Sequence, residues 1–222
     1  MKNVVIGLAG VKTSGKSTVA EMIKQIHTNA KESALADKLK NVSAQAFDLK
    51  REYFDSQDLK EVPLETVKFL TKPKISYIIN SFNIDATEDQ ENMVHEKLKD
   101  IPLETPRRIA QIVGTELLRT FGGEDIHCDQ VQINNSGITV ISDIRFPNEF
   151  KYFNNKDNIL FVPLYIQRDL AEKEVDLKTS HPSETLIFTF CDKCIKINNN
   201  GSLESTFNQV KSILDKELSA VL

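Results

Sequence analysis

The sequence predicts an α/β fold in which a five-stranded, mostly parallel sheet is covered by helices on both faces. Short apolar runs typical of buried strands alternate with stretches of helical periodicity along the 222 residues. The first apolar run, residues 4–8, ends in a glycine-containing loop, and an amphipathic helical pattern over residues 17–27 follows it. A chain of this length can also bury a sizeable core.

The loop between the first strand and the first helix carries the most specific pattern in the chain. It reads GVKTSGKS and matches G-x-x-x-x-G-K-[ST] at every fixed position. A strand before it and a helix after it favour a phosphate-binding loop over a glycine-rich turn that binds nothing. Lys16 is then expected to contact the β- and γ-phosphates of ATP, and the Ser17 hydroxyl to coordinate Mg²⁺. The expected ATP contacts are Gly10, Lys12, Thr13, Ser14, Gly15, Lys16, Ser17 and Thr18.

Composition excludes several other classes of protein. The formal net charge of −4 argues against a non-specific nucleic-acid binder, which is usually basic. No apolar run approaches the roughly 20 residues that span a bilayer, so we expect no membrane partner. The three cysteines are few and odd in number, which is typical of a reducing compartment, and the expected location is cytoplasmic. Cys191 and Cys194 have C-x-x-C spacing, but a strand over residues 194–197 is favoured over a metal or redox site.

A second strand is predicted over residues 32–37, followed by a helix over residues 38–49. Asp37 would then lie near the carboxyl end of a strand, where ligands bind in open α/β sheets, or it would cap the helix. We include it, with Lys40 of the same helix, among the expected substrate contacts. Residues 50–100 predict a mostly helical insertion, with short helices over residues 64–70 and 89–98.

The next predicted helix begins at Thr105-Pro106 and ends at Gly122-Gly123. An α-helical spacing would place four cationic or hydrogen-bonding side chains on one face: Arg108, Gln111, Thr115 and Arg119. This stripe contains no acid, which favours an anion site over a solvated face and makes these residues candidate substrate contacts.

Two later strands end in charged residues. The strand over residues 137–142 is followed by Asp143 and Arg145, which would contact Mg²⁺ or a phosphate, the alternative being a turn with a surface ion pair. The strand over residues 158–167 is followed by Arg168 and a charged segment that resembles a closing flap. His181 could donate to a phosphate or orient the helix predicted over residues 183–190. A last helix is predicted over residues 203–222.

Four segments together resemble the bacteriophage deoxynucleoside monophosphate kinases: GVKTSGKST, GTELLRTFGGED, ISDIRFPNE and HPSE. The resemblance implies transfer of the γ-phosphoryl group of ATP, with Mg²⁺, to a deoxynucleoside monophosphate. It implies that Asp143 and Arg145 face the monophosphate or the metal, that Arg108 and Arg119 face the acceptor, and that Arg168 belongs to a lid. One departure is that a Trp is expected after the Arg119 helix, whereas this chain has His127 and no Trp.

These inferences combine into one expectation, a P-loop NTPase three-layer sandwich. Its core would comprise residues 1–49 and 130–222, with a helical substrate-binding insertion at 50–129 and a lid at about 168–182. Lys16, Asp143, Arg145 and Arg168 would be catalytic, and Ser17 and Asp143 would hold the metal. Expected partners are ATP and a deoxynucleoside monophosphate, with no nucleic acid; whether the chain forms a homodimer stays open. The rival functions are a kinase of phosphomevalonate or dephospho-coenzyme A type and a non-enzymatic nucleotide-binding switch.

Overall fold

The computed structural model describes residues 2–56, 58–180 and 182–219. The chain divides into two compact units. Unit 1 contains Met1–Leu35 and Val131–Leu222, and unit 2 contains Ala36–Gln130. His181 and the last three residues of the predicted C-terminal helix lie outside the described residues. No helix in the described ranges is both long and apolar enough to cross a membrane.

Unit 1 is built on a sheet of five strands, all paired in parallel. The strands are β1 Asn3–Ala9, β2 Lys31–Ser33, β3 Ile138–Ile144, β4 Ile159–Gln167 and β5 Ile195–Asn198. Their order across the sheet is β2-β3-β1-β4-β5. Val4 of β1 pairs with Ile138 on one side and with Leu160 on the other, so β1 is central. The expected α/β fold with a five-stranded parallel sheet is confirmed.

Helices of both units follow the strands in the chain. They are α1 Lys16–Ile26, α2 Asp37–Ala46, α3 Glu52–Asp55, α4 Lys72–Ser81, α5 Glu88–Leu98, α6 Pro106–Gln111, α7 Arg119–Gly122, α8 Pro147–Asn154, α9 Asp169–Glu172, α10 Pro182–Thr185 and α11 Leu203–Leu218. A π-helical segment, Ile112–Leu118, connects α6 to α7. In unit 1, α1 and α11 pack against the sheet around a core that includes Ile23, Leu164 and Val210.

Unit 2 has its own helical core. Buried side chains of α2, α4, α5 and the α6–α7 segment pack together, among them Leu39, Ile78 and Leu117. Unit 2 starts before the expected insertion at residue 50 because α2 packs with α3, α4 and α6, all of which belong to this unit.

Three local predictions differ from the structure. The second strand ends at Ser33, and Asp37 is instead the first residue of α2. Residues 64–70 are not helical, because the Leu64 and Lys68 backbone N–H groups donate to the carbonyls of Glu104 and Leu103. The helix predicted over residues 183–190 is one turn, α10, followed by the 3₁₀ segment Leu186–Thr189.

Candidate active site

The predicted phosphate-binding residues of unit 1 lie at one edge of its sheet. Residues 10–17, called here the phosphate loop, follow β1 directly, and Arg145 follows β3. Arg168 follows β4, and Asn199 follows β5. Because these four strands are parallel neighbours, their carboxyl ends meet at the same edge, where ligands bind in open α/β sheets.

The phosphate loop has a backbone that only certain residues can adopt. Gly10 has φ 157° and Gly15 has φ 103°. A Cβ on Gly10 would lie 2.5 Å from Ser14 Oγ and 3.0 Å from the Ile166 carbonyl oxygen, closer than real contacts allow. Thr13, a non-glycine residue, has φ 63°, in the left-handed region. Such conformations persist only where surrounding contacts hold them, which is typical of ligand-binding loops.

Lys16 lies at the start of α1 and folds back over the loop. Its Nζ donates to the carbonyl oxygens of Gly10 at 2.6 Å and Val11 at 2.8 Å. Burial lowers the pKa of this ammonium group to about 8, and the Arg145 guanidinium lowers it further, whereas Glu184 and Asp143 act in the opposite direction. Lys16 therefore carries its charge at neutral pH inside a cluster of charged groups, as the predicted phosphate contact requires.

Asp143 lies within β3, because the strand continues to Ile144 rather than ending at Ser142 as predicted. Its Oδ1 accepts a hydrogen bond of 2.7 Å from the Leu35 backbone N–H. The carboxylate is therefore fixed near the carboxyl end of a central strand. It is close enough to Lys16 to raise the pKa of that ammonium group.

Glu184 joins two predicted anion-binding groups. Its Oε2 accepts from the Lys12 backbone N–H at 2.7 Å, and its Oε1 accepts from Arg145 Nη1 at 3.1 Å. The Arg145 backbone is itself held by the buried Glu149 carboxylate, which accepts from its N–H at 2.7 Å. A carboxylate thus occupies donors of a kind that a phosphate oxygen also uses. The sequence analysis did not identify this role for Glu184, whose contact spans 172 residues of sequence.

The remaining predicted residues of unit 1 differ in their surroundings. Arg168 Nη1 donates to the Thr13 carbonyl oxygen at 3.2 Å, so Arg168 contacts the phosphate loop. Lys12, Ser17 and Thr18 are exposed, whereas Ser14 is buried. Among the described residues, no group of three or more His, Cys, Asp or Glu side chains could hold a metal ion alone. Mg²⁺ usually binds through one or two protein oxygens together with waters and substrate phosphates, and the donors of Ser17 and Asp143 fit that chemistry.

In unit 2, the predicted stripe is not on a continuous α-helix. Arg108 and Gln111 belong to α6, Thr115 belongs to the π-helical segment, and Arg119 begins α7. Because π-helical hydrogen bonds run from i to i+5, the register after Gln111 departs from the α-helical spacing. Arg108 and Thr115 are exposed, and Gln111 and Arg119 are half-buried. The single face predicted for the four side chains therefore does not follow.

His127 stabilises this irregular segment. It is buried, and its Nε2 lies 3.1 Å from the Gly114 carbonyl oxygen. Because a carbonyl oxygen can only accept, the Nε2–H donates. The ring also meets Phe82 edge-to-face, with ring centroids 6.4 Å apart. The residue found where the resemblance predicted a Trp is therefore part of the packing of unit 2.

The two other predicted substrate contacts of unit 2 take part in an ion-pair network. Arg51 Nη2 contacts Asp37 Oδ1 at 2.9 Å, and Lys40 Nζ contacts Asp55 Oδ1 at 3.0 Å. Arg51 also pairs with Asp55 at 2.9 Å, which links the two contacts. Asp37 is thus neither at a strand end nor the N-cap, a position held by Ala36.

The C-x-x-C pair has the properties of buried structural thiols. Burial raises the pKa of the Cys194 thiol to about 12 and also raises the pKa of Cys191. A thiol with a raised pKa is rarely deprotonated and is a poor nucleophile and metal ligand. Cys194 immediately precedes β5, as the predicted strand interpretation requires.

Comparisons with known proteins connect this site to a class of enzymes. The chain is 32% identical over 85 residues to the deoxynucleoside-5'-monophosphate kinase of Escherichia phage T5, a match covering 36% of this chain and 34% of that protein. It is 25% identical over 228 aligned residues, with 96% of each chain covered, to a protein of Acanthamoeba polyphaga mimivirus named "Putative deoxynucleotide monophosphate kinase". No family model matches the chain.

Solved structures give a weaker likeness. A gluconokinase from Sinorhizobium meliloti aligns over 99% of this chain and 98% of its own, with 11% identity and a TM-score of 0.35. A dephospho-CoA kinase from Campylobacter jejuni aligns over 96% of both chains, with 11% identity and a TM-score of 0.38. TM-scores this low support no conclusion about substrate or site.

Proposed function

We propose that this protein transfers the γ-phosphoryl group of ATP to a deoxynucleoside monophosphate, giving ADP and a deoxynucleoside diphosphate. The observation that carries the proposal is the phosphate loop with Lys16 folded over it, beside Asp143 and Arg145 at the same edge of the sheet. Two viral relatives named as kinases, one aligned over nearly the whole chain, support phosphotransfer as the reaction class. The deoxynucleotide acceptor is the finer part of the proposal.

The reaction needs no covalent nucleophile from the protein, because an oxygen of the acceptor phosphate is itself the attacking group. Catalysis then consists of aligning two phosphates and neutralising the charge on the transferred group. Lys16 supplies a cation beside the β- and γ-phosphates once its contacts with Gly10 and Val11 are exchanged for phosphate oxygens. Arg145 supplies a second cation when its contact with Glu184 is exchanged in the same way.

Ser17 and Asp143 would hold Mg²⁺, which supplies charge neutralisation and bridges phosphate oxygens when bound. Asp143 is oriented for such a role by the Leu35 backbone N–H, which fixes one of its carboxylate oxygens. The roles of Arg168 as a lid residue and of Arg108 and Arg119 as acceptor contacts stay predictions. A cytoplasmic location, where ATP and deoxynucleotides are available, belongs to the same proposal.

A coupled assay of ADP formation tests the proposal. Purified protein with ATP and Mg²⁺ is offered the four deoxynucleoside monophosphates, the ribonucleoside monophosphates, phosphomevalonate and dephospho-coenzyme A. We expect at least one deoxynucleoside monophosphate to accelerate ADP formation well above the rate without acceptor. Preference for phosphomevalonate or dephospho-coenzyme A would replace the acceptor but keep a kinase. Slow hydrolysis that no acceptor stimulates would favour a nucleotide-binding switch.

A further inference from the structure

The turn after β5 contacts the phosphate loop from outside. Asn199 Nδ2 donates to the Ser14 carbonyl oxygen at 2.7 Å, across 185 residues of sequence. The Asn199 backbone N–H donates to the Gln167 carbonyl oxygen at 2.8 Å, which fixes the turn against the end of β4. An added Cβ on Gly15 would collide with the Asn199 amide, so the two chain segments are closely fitted.

The orientation of the Asn199 amide is determined by its neighbours. The Ser14 carbonyl oxygen can only accept a hydrogen bond, so the NH₂ group must face it. The amide oxygen, Oδ1, accepts a hydrogen bond of 2.9 Å from the Thr206 hydroxyl. Thr206 is fully buried on α11, so its hydroxyl is a fixed donor. The contact to the loop is therefore anchored in the core of unit 1.

Within the loop, Ser14 depends on this outside contact. Its Oγ is buried without a hydrogen-bond partner, and its backbone N–H closes a turn to the Val11 carbonyl at 3.2 Å. Ser14 also lies between Thr13 and Gly15, both with positive φ. A loop with such a backbone relaxes to other conformations unless its surroundings hold it. The Asn199 amide supplies a hydrogen bond at the residue between the two unusual conformations.

We propose that Asn199 is a positioning residue that holds the phosphate loop in its nucleotide-binding conformation, with Thr206 orienting the Asn199 amide. The nucleotide part of this inference rests on the proposed function. Asn199 acts through the Ser14 carbonyl and not by touching the reacting atoms. Losing its contact lowers the fraction of molecules whose loop amides are ready for phosphate, and the apparent affinity falls by the same factor.

The first measurement is amide hydrogen exchange of the phosphate loop in the full-length protein without nucleotide. In Asn199→Ala we expect the loop amides to exchange about tenfold faster than in the wild type, since one hydrogen bond of roughly 1 kcal/mol is lost. The matched control is Asn208→Ala, which removes an exposed Asn side chain from α11. Unchanged exchange of the loop in Asn199→Ala would overturn the positioning role, whether or not the protein is a kinase.

The second measurement is MgATP affinity by calorimetry. Asn199→Ala should weaken binding about tenfold with the acceptor KM little changed, while Asn208→Ala should bind as the wild type does. Asn199→Asp should weaken binding more, because a carboxylate oxygen would face the Ser14 carbonyl. Thr206→Val keeps the side-chain shape and should give a smaller loss that does not add to that of Asn199→Ala, as coupled residues behave.

These outcomes separate the two proposals. Faster loop exchange in Asn199→Ala, together with no binding of MgATP by the wild type, would refute the proposed function and keep the positioning role. Normal MgATP affinity in all three variants of Asn199 and Thr206 would refute the role in nucleotide binding. A lowered melting temperature with unchanged affinity and exchange would mean that Asn199 contributes only to stability.

Discussion

The two units differ in how their ionisable groups are arranged. At the sheet edge of unit 1, Lys16, Arg145 and Arg168 all make hydrogen bonds to backbone carbonyls or to Glu184, around a loop with an unusual backbone. In unit 2, Asp37 and Lys40 are linked through Arg51 and Asp55 on a helical surface. The unit 1 groups face a loop suited to an anion, which indicates binding chemistry, whereas the unit 2 network stabilises the junction of α2 and α3.

The largest expected effect tests the loop of unit 1. Lys16→Ala should lower kcat about a thousandfold, because it removes a preorganised cation from the transferred phosphate. Its melting temperature should stay near that of the wild type. The matched control is Lys211→Ala, an exposed lysine of α11. Turnover near the wild-type rate in Lys16→Ala would remove the loop from the mechanism.

Arg119 tests whether unit 2 contributes to acceptor binding at all. If it contacts the acceptor phosphate, Arg119→Ala should raise the acceptor KM or lower kcat about thirtyfold, as loss of a charged hydrogen bond of about 2 kcal/mol predicts. MgATP affinity should change little. Arg107→Ala is the control, because that arginine starts the same helical segment and pairs with Glu61. An equal loss of MgATP binding in Arg119→Ala would assign Arg119 to the nucleotide instead.

The pH dependence of MgATP binding tests the charge of Lys16. A triphosphate prefers the protonated amine, so affinity should hold below the Lys16 pKa of about 8 and fall as pH rises through it, about tenfold by pH 9. The Arg145 guanidinium lowers this pKa, so Arg145→Ala should move the alkaline decline to higher pH. Glu184 raises it, so Glu184→Gln should move the decline to lower pH. Calorimetric titrations from pH 6.5 upward measure these shifts; coincident profiles in both variants would contradict the assigned cluster.

The smallest effect on nucleotide binding is expected from His127. His127→Ala leaves the Gly114 carbonyl without its donor and removes an aromatic contact with Phe82, so the free energy of unfolding should fall by about 2 kcal/mol. MgATP affinity of the folded protein should stay unchanged. Chemical denaturation measures the first quantity and calorimetry the second. A large loss of MgATP affinity would show that this residue serves the nucleotide site.

The sheet of unit 1 and its phosphate loop could be predicted because their signals are local. An apolar run followed by a motif with fixed spacing identifies β1, the loop and α1 without knowledge of distant residues. The π-helical segment could not, because Gly114 and His127 define it through a contact made only in the folded unit. The roles of Glu184 and Asn199 were missed for the same reason, since each contacts the loop from more than 170 residues away.

The chain order of unit 1 has a consequence for how the protein matures on the ribosome. Strand β1 is central and needs β3 and β4, which are synthesised only after all of unit 2. The N-terminal 35 residues must therefore wait unpaired while the helices of unit 2, whose contacts are closer in sequence, can form. The nucleotide cradle is translated first and completed last, when Asn199 leaves the exit tunnel, so a truncated nascent chain cannot bind nucleotide prematurely.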